Sequence, residues 1–178
     1  PRDDAPRKSV QTRNPRGEDT SIMRTTPLPS MLEILTRNYN FRNKSAKLYE
    51  LGRWYFRRAD GLADEPKVLT LGAYGDGMDF FALKGAVEAV LKQLRIENVR
   101  FLADSENPSY HPGRCAAVWS GERLLGVFGQ LHPLVARNYD VDGAFYCAEL
   151  HFDALLATRG ADPASVPLPT LPSVPHAI

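Results

Sequence analysis

At 178 residues, with 43% hydrophobic and 24% charged side chains, the chain has the composition of one folded domain and not of a disordered one. The formal net charge is +1, but residues 1–60 hold thirteen Lys and Arg against seven Asp and Glu; that skew suits nucleic acid or an acidic partner as well as a solvated face. No run of eighteen apolar residues and no charged–apolar–small leader is present, and the two cysteines, Cys115 and Cys147, make neither a zinc pattern nor a disulfide scaffold. A cytoplasmic protein with reduced core thiols and no membrane contact is expected.

Ser9 to Arg13 reads as a short strand closed by the turn Asn14-Pro15-Arg16-Gly17. Pro27 and Pro29 then open a helix in which Leu28, Leu32, Leu35 and Tyr39 recur at helical spacing, ending at Asn43-Lys44-Ser45. Ala46 to Phe56 is rich in aromatics and interrupted by Gly52, which predicts a long strand with a bulge or bend. After the turn Asp60-Gly61, Val68 to Tyr74 reads as its antiparallel return.

Asp79 is a natural N-cap for a helix whose apolar stripe runs through Phe80, Leu83, Val87, Leu91 and Leu94. Val99–Leu102, Cys115–Trp119, Leu124–Gly129 and Ala144–Leu150 are strand candidates, with a hairpin at Ser120-Gly121-Glu122 and a short helix over Pro133–Tyr139. Short hairpin connections outnumber crossovers. The expected class is therefore α+β, an antiparallel sheet flanked by helices, with the helices on one face.

The search for chemistry returns little. Gly72-Ala73-Tyr74-Gly75-Asp76-Gly77 lacks the endings of a phosphate-binding loop. There is no GxSxG elbow, and His111, His132 and His151 form no pair at metal-ligand spacing. His111-Pro112-Gly113-Arg114 and His132-Pro133 read as structural turns in which Pro fixes φ and His donates to backbone carbonyls. Arg114 suits either an anion or a carboxylate partner.

Seven blocks taken in order carry a resemblance. They are Glu18–Thr26, Leu28–Leu32, Leu48–Arg53, Asp79–Gly85, His111–Arg114, Gly126–Pro133 and Cys147–Asp153. Together they resemble the bacterial phenylalanyl-tRNA synthetase β subunit. The resemblance implies that residues 1–156 are its catalytic-like module, truncated at the N-terminus: a class II synthetase core without an active site. It also implies that residues 157–178 are a proline-rich linker toward a C-terminal tRNA-contacting domain beyond this chain.

A working class II core holds ATP with an Arg from one motif and a Glu-Arg pair from another, and such cationic clamps with magnesium carry its catalysis. Here Phe145-Tyr146-Cys147-Ala148-Glu149-Leu150-His151-Phe152-Asp153 stands where the glycine-lined strand and the Glu-Arg pair belong. Only Arg53 survives from the other motif. The expectation is a fragment with no catalytic, cofactor or metal residues, inside a whole enzyme using ATP and Mg. Its partner is a catalytic α subunit in an (αβ)₂ assembly, with tRNA held mainly through other domains. Whether Tyr146, Phe152 and Trp54 fill the old ATP cleft or leave it open is for the structure to show.

The structural or interface candidates are Arg53, His111, Pro112, Gly113, Arg114, Gly126, Gly129, His132 and Pro133. The rival expectation is direct tRNA binding through residues 37–58, where Tyr39, Phe41, Tyr49, Trp54 and Tyr55 interleave with Arg37, Arg42, Lys44, Lys47 and Arg53.

Overall fold

The computed structural model describes residues 26–57 and 63–161. The expected strand at Ser9–Arg13, the turns at Asn14–Gly17 and Asp60-Gly61, and nearly all of the proline-rich stretch lie outside them.

Six strands form one sheet, and every neighbouring pair is antiparallel. They are β1 (Ala46–Arg53), β4 (Lys67–Tyr74), β5 (Val99–Ala103), β6 (Tyr110–Ser120), β7 (Arg123–Leu131) and β8 (Tyr146–His151), in the spatial order β1-β4-β8-β7-β6-β5. Two short strands between β1 and β4, β2 (Phe56–Arg57) and β3 (Ala63–Asp64), make a separate two-stranded ribbon. Last in sequence among the strands, β8 inserts at the middle, between β4 and β7. Its residues from Tyr146 to Leu150 are all buried, as a strand covered on both faces requires.

Alternation along β8 defines the two faces. Tyr146, Ala148 and Leu150 join the cluster formed by α2 (Phe80–Gln93) and α4 (Phe152–Thr158), here called the back. Cys147 joins the cluster formed by α1 (Leu28–Asn40), with residues of the segment that includes α3 (Pro133–Asn138), here called the front. At the centre of the back, fully buried Phe128 stacks on Phe80 at 5.1 Å and meets the edge of Phe101 at 5.8 Å. Asp79 caps α2 by accepting from the Ala82 N–H at 2.7 Å, as its place before the stripe predicts.

Two expectations need correction. The helices do not share one face: Leu28, Met31, Leu32 and Leu35 of α1 are buried against the front, a second apolar surface that needed its own cover. Nor is there a bulge at Gly52, which pairs regularly with Val68 in a ladder that runs unbroken from Ala46 to Arg53. The irregularities fall in the β6–β7 pair, between Tyr110 and Cys115 and between Val118 and Trp119.

Candidate functional site

The front of the sheet is the place to look for chemistry, because there the central strands present polar side chains. Gly72 on β4 faces α1 so closely that a β-carbon would lie 2.7 Å from the Met31 side chain and 2.9 Å from that of Leu35. Helix α1 therefore covers this half of the front. Two residues away along each strand, Thr70 and Glu149 stand directly opposite one another and share that face. Val127 on β7 stands on the other side of Glu149 in the same cross-strand row.

Glu149 is only 8% exposed, at the heart of an otherwise apolar strand. Its Oε1 accepts a short hydrogen bond from the Thr26 hydroxyl, and its Oε2 accepts one from the Tyr110 hydroxyl at 3.3 Å. Burial raises the Glu149 pKa above the ordinary carboxylate value, while the Thr26 and Tyr110 hydrogen bonds act to lower it. Thr70 is fully buried, and its hydroxyl has no hydrogen-bond partner among the described residues. Cys115 and Cys147 flank this region as free, buried thiols; burial pushes the Cys115 thiol up to about 12 and raises that of Cys147 as well. Neither is a nucleophile at neutral pH.

His151 ends β8 on the same face. It meets the Trp54 ring edge-on at 5.2 Å between centroids. Burial pushes its imidazolium pKa down, against a hydrogen bond with the Leu124 backbone that pulls it up. Among the described residues no group of three or more metal-binding side chains exists.

The residues singled out from the sequence do not converge on this face. By alternation Arg53 points to the back with Lys47, Tyr49 and Leu51, where it pairs with Glu65 at 3.1 Å in an exposed contact. Phe152 and Tyr146 do not fill a front cleft: both pack in the back cluster, one strand-thickness away. Phe152 opens α4 immediately after β8, and that helix lies behind the sheet. Only Trp54 of these three lies beside the front, against His151.

The two His-Pro pairs differ. His132-Pro133 opens α3, whereas His111-Pro112 lies within strand β6, in the stretch where its pairing with β7 is irregular, and not in a turn between elements. In both, the hydrogen bonds are reversed from expectation. His111 Nδ1 accepts from the Gly113 N–H at 3.0 Å, and His132 Nδ1 accepts from the Leu134 N–H at 3.1 Å. His132 thereby caps α3, whose first residue is Pro133, while Pro112 lies in β6. Arg114 donates to Gln130 Oε1 at 2.6 Å on the next strand. Gly126, at φ +155°, and Gly129 let strands approach: a β-carbon at the first would collide with the Glu149 carbonyl, and at the second with that of Arg114.

Residues 37–58 are likewise dispersed. Tyr39 makes edge contacts with Tyr74 and Phe145, and Trp54 is engaged with His151. Phe41 and Tyr49 are 75% and 79% exposed, but one follows α1 on the front and the other lies on the back of β1. They form no common stacking platform.

An antiparallel sheet of this order with helices on both faces is the class II aminoacyl-tRNA synthetase fold. Two solved structures of the pyrrolysyl-tRNA synthetase of Desulfitobacterium hafniense superpose with TM-scores of 0.66 and 0.67, covering 84% and 83% of this chain and 52% of theirs, at 14% identity. The family itself comes from sequence: the model of the phenylalanyl tRNA synthetase beta chain CLM domain matches residues 2–152. The phenylalanine–tRNA ligase beta subunits of Clostridium tetani and Clostridium acetobutylicum are 39% and 40% identical over 176 residues, 98% of this chain. The chain belongs to the phenylalanyl-tRNA synthetase β-chain family. It spans about a fifth of the length of those relatives, 22% of each. No helix among the described residues is long and apolar enough to cross a membrane.

Glu149, Thr26, Thr70 and Tyr110 were missed by the sequence reading. The signal was a single carboxylate between Ala148 and Leu150 in a strand too apolar to be an edge. A charge there must be paired or neutralised.

Proposed function

We propose that this chain is a non-catalytic domain of a phenylalanine–tRNA ligase β subunit that packs against the catalytic α subunit and supports its active site. One observation carries the reading: the front face, where a class II core must offer cations to a nucleotide, offers a buried carboxyl. On β8 that face shows Cys147, Glu149 and His151; on β4, Thr70 and Gly72; on β7, Val127 and Gly129. None is Lys or Arg. A buried carboxyl beside a triphosphate adds like-charge repulsion in a medium of low dielectric, the opposite of what adenylate formation needs. The retained Arg53 points away and is already paired with Glu65.

The domain's contribution is therefore a rigid surface. Its sheet is closed on the back by α2 and α4 and on the front by α1, which leaves a preformed body for a partner. The whole enzyme's dependence on ATP and Mg belongs to the α subunit, the packing of this surface on that subunit is part of the (αβ)₂ assembly, and tRNA is held mainly through other domains.

Reconstitution tests this. A β subunit lacking residues 26–161 is expected to lose α binding in co-purification, and with it aminoacylation. Full binding and activity without those residues would refute the supporting role.

A further inference from the structure

Helices α2 and α4 close the centre of the back, but a groove remains at its margin. There β5 ends the sheet, with no strand beyond it among the described residues. Between β5 and the C-terminal half of α2 the groove has a volume of about 500 Å³. Its floor is apolar: Leu91 and Ile96 are buried, and Val99 and Phe101 are half-buried. Its rim carries two carboxylates and two cations, so charge selects no ligand of either sign, and apolar contact decides what fits.

The described residues end at the mouth of this groove. The Gly160 N–H donates to the Leu94 carbonyl at 3.0 Å, and Arg95, which lines the groove, donates to the Ala161 carbonyl at 2.7 Å. A β-carbon at Gly160 would lie 2.6 Å from the Arg95 carbonyl, so the approach is one that glycine permits. The chain is thus fastened to the end of α2 at residues 160–161, and 162–178 follow.

The sequence of that segment matches the groove. Pro163, Pro167, Pro169, Pro172 and Pro175 remove amide donors, which opposes both a helix and a strand paired along β5. Such spacing favours the polyproline II conformation, with its three residues per turn. Leu168, Leu171 and Val174 recur every third residue, and Thr170, Ser173 and His176 recur in another phase. Wound in that way, the segment has one apolar edge and one polar edge, with successive apolar side chains about 9 Å apart.

We propose that residues 166–175 of this chain occupy the back groove, with Leu168 and Leu171 set against Ile96, Val99 and Phe101. Proline-rich segments dock in aromatic-lined apolar grooves because little conformational entropy is lost on binding. Tethering favours this occupant over one arriving from solution. Residues 162–165 span at most about 14 Å when extended, and the groove begins at Arg95, where the chain is already held. A short tether supplies an effective concentration on the order of millimolar, so modest contacts suffice.

Methyl NMR of the 178-residue chain tests the assignment. Cross-relaxation is expected between the methyls of Leu168 or Leu171 and those of Ile96 or Val99. Removing residues 162–178 is expected to shift the Ile96 and Val99 methyls and to leave Leu32 and Leu35, on the front, unmoved. The double variant Leu168→Ser with Leu171→Ser is expected to reproduce that shift. Thr170→Ala with Ser173→Ala, on the polar edge, is expected to leave the signals where the full chain has them. Ile96 and Val99 methyls that do not respond to the truncation, or that respond equally to both pairs of substitutions, would overturn the proposal. So would cross-relaxation seen only between differently labelled chains in a mixed sample, which would make the occupant a second copy.

Discussion

The two faces of one sheet have opposite designs. On the back, α2 and α4 bury Leu83, Val87, Leu91, Phe128 and Leu155 with no carboxylate, amine or imidazole in the buried cluster. On the front, α1 covers Leu48, Cys115 and Cys147 beside a buried carboxyl and a buried hydroxyl. The back is held by area and shape, which no change of pH alters. The front adds a polar junction, and buried polar groups stabilise only when fully partnered. An apolar face and a face with a buried polar junction thus differ in what can disturb them.

The largest way to break the comparison is at the back. Phe128→Ala is expected to cost about 3–5 kcal/mol in denaturant unfolding, because it empties the space between Phe80 and Phe101. On the front, Gly129→Ala drives a β-carbon into the Arg114 carbonyl, whereas Gly72→Ala meets side-chain atoms of Met31 and Leu35 and no backbone. The first is expected to exceed the roughly 1–3 kcal/mol typical of overpacking, and the second to fall within it. Equal losses from the two would mean that α1 packs as rigidly as a neighbouring strand.

Smaller effects sharpen the picture. Asp79→Ala removes the cap of α2 and is expected to cost about 1 kcal/mol, seen as a lower Tm. Lys84→Ala deletes the exposed 2.6 Å pair with Glu88 and a cation over Phe101, a loss of a few tenths to about 1 kcal/mol. His151 sets an acid limb that the back lacks. Because its folded-state pKa is lowered, its contribution is complete above pH 6.5 and is lost as pH falls through the folded value. Acid titration of stability is expected to lose that step in His151→Asn.

Much of this architecture is legible in the sequence, and the reasons lie in particular residues. The stripe from Phe80 to Leu94 and the cap at Asp79 locate α2 because both are local signals. The run from Tyr146 to Leu150 reads as a buried strand, but its central position between β4 and β7 depends on pairings with distant residues that no local pattern encodes. His132-Pro133 is legible as the start of a helix, whereas His111-Pro112 reads as a turn and lies inside the irregular part of β6; the direction of the hydrogen bonds is legible in neither. The motif position of Phe152 does not say on which face it lies; the fold carries it behind the sheet. Glu149 shows the same limit: its neighbours in sequence reveal a misplaced charge, and only the fold supplies Thr26 and Tyr110.

The central claim is that a carboxyl has taken the place of a nucleotide clamp, and ATP–pyrophosphate exchange with phenylalanine tests it most directly. With the purified 178-residue chain, exchange is expected to match a control preparation made without it. Phenylalanine-dependent exchange above that control, abolished by substitution on the front face, would contradict the account.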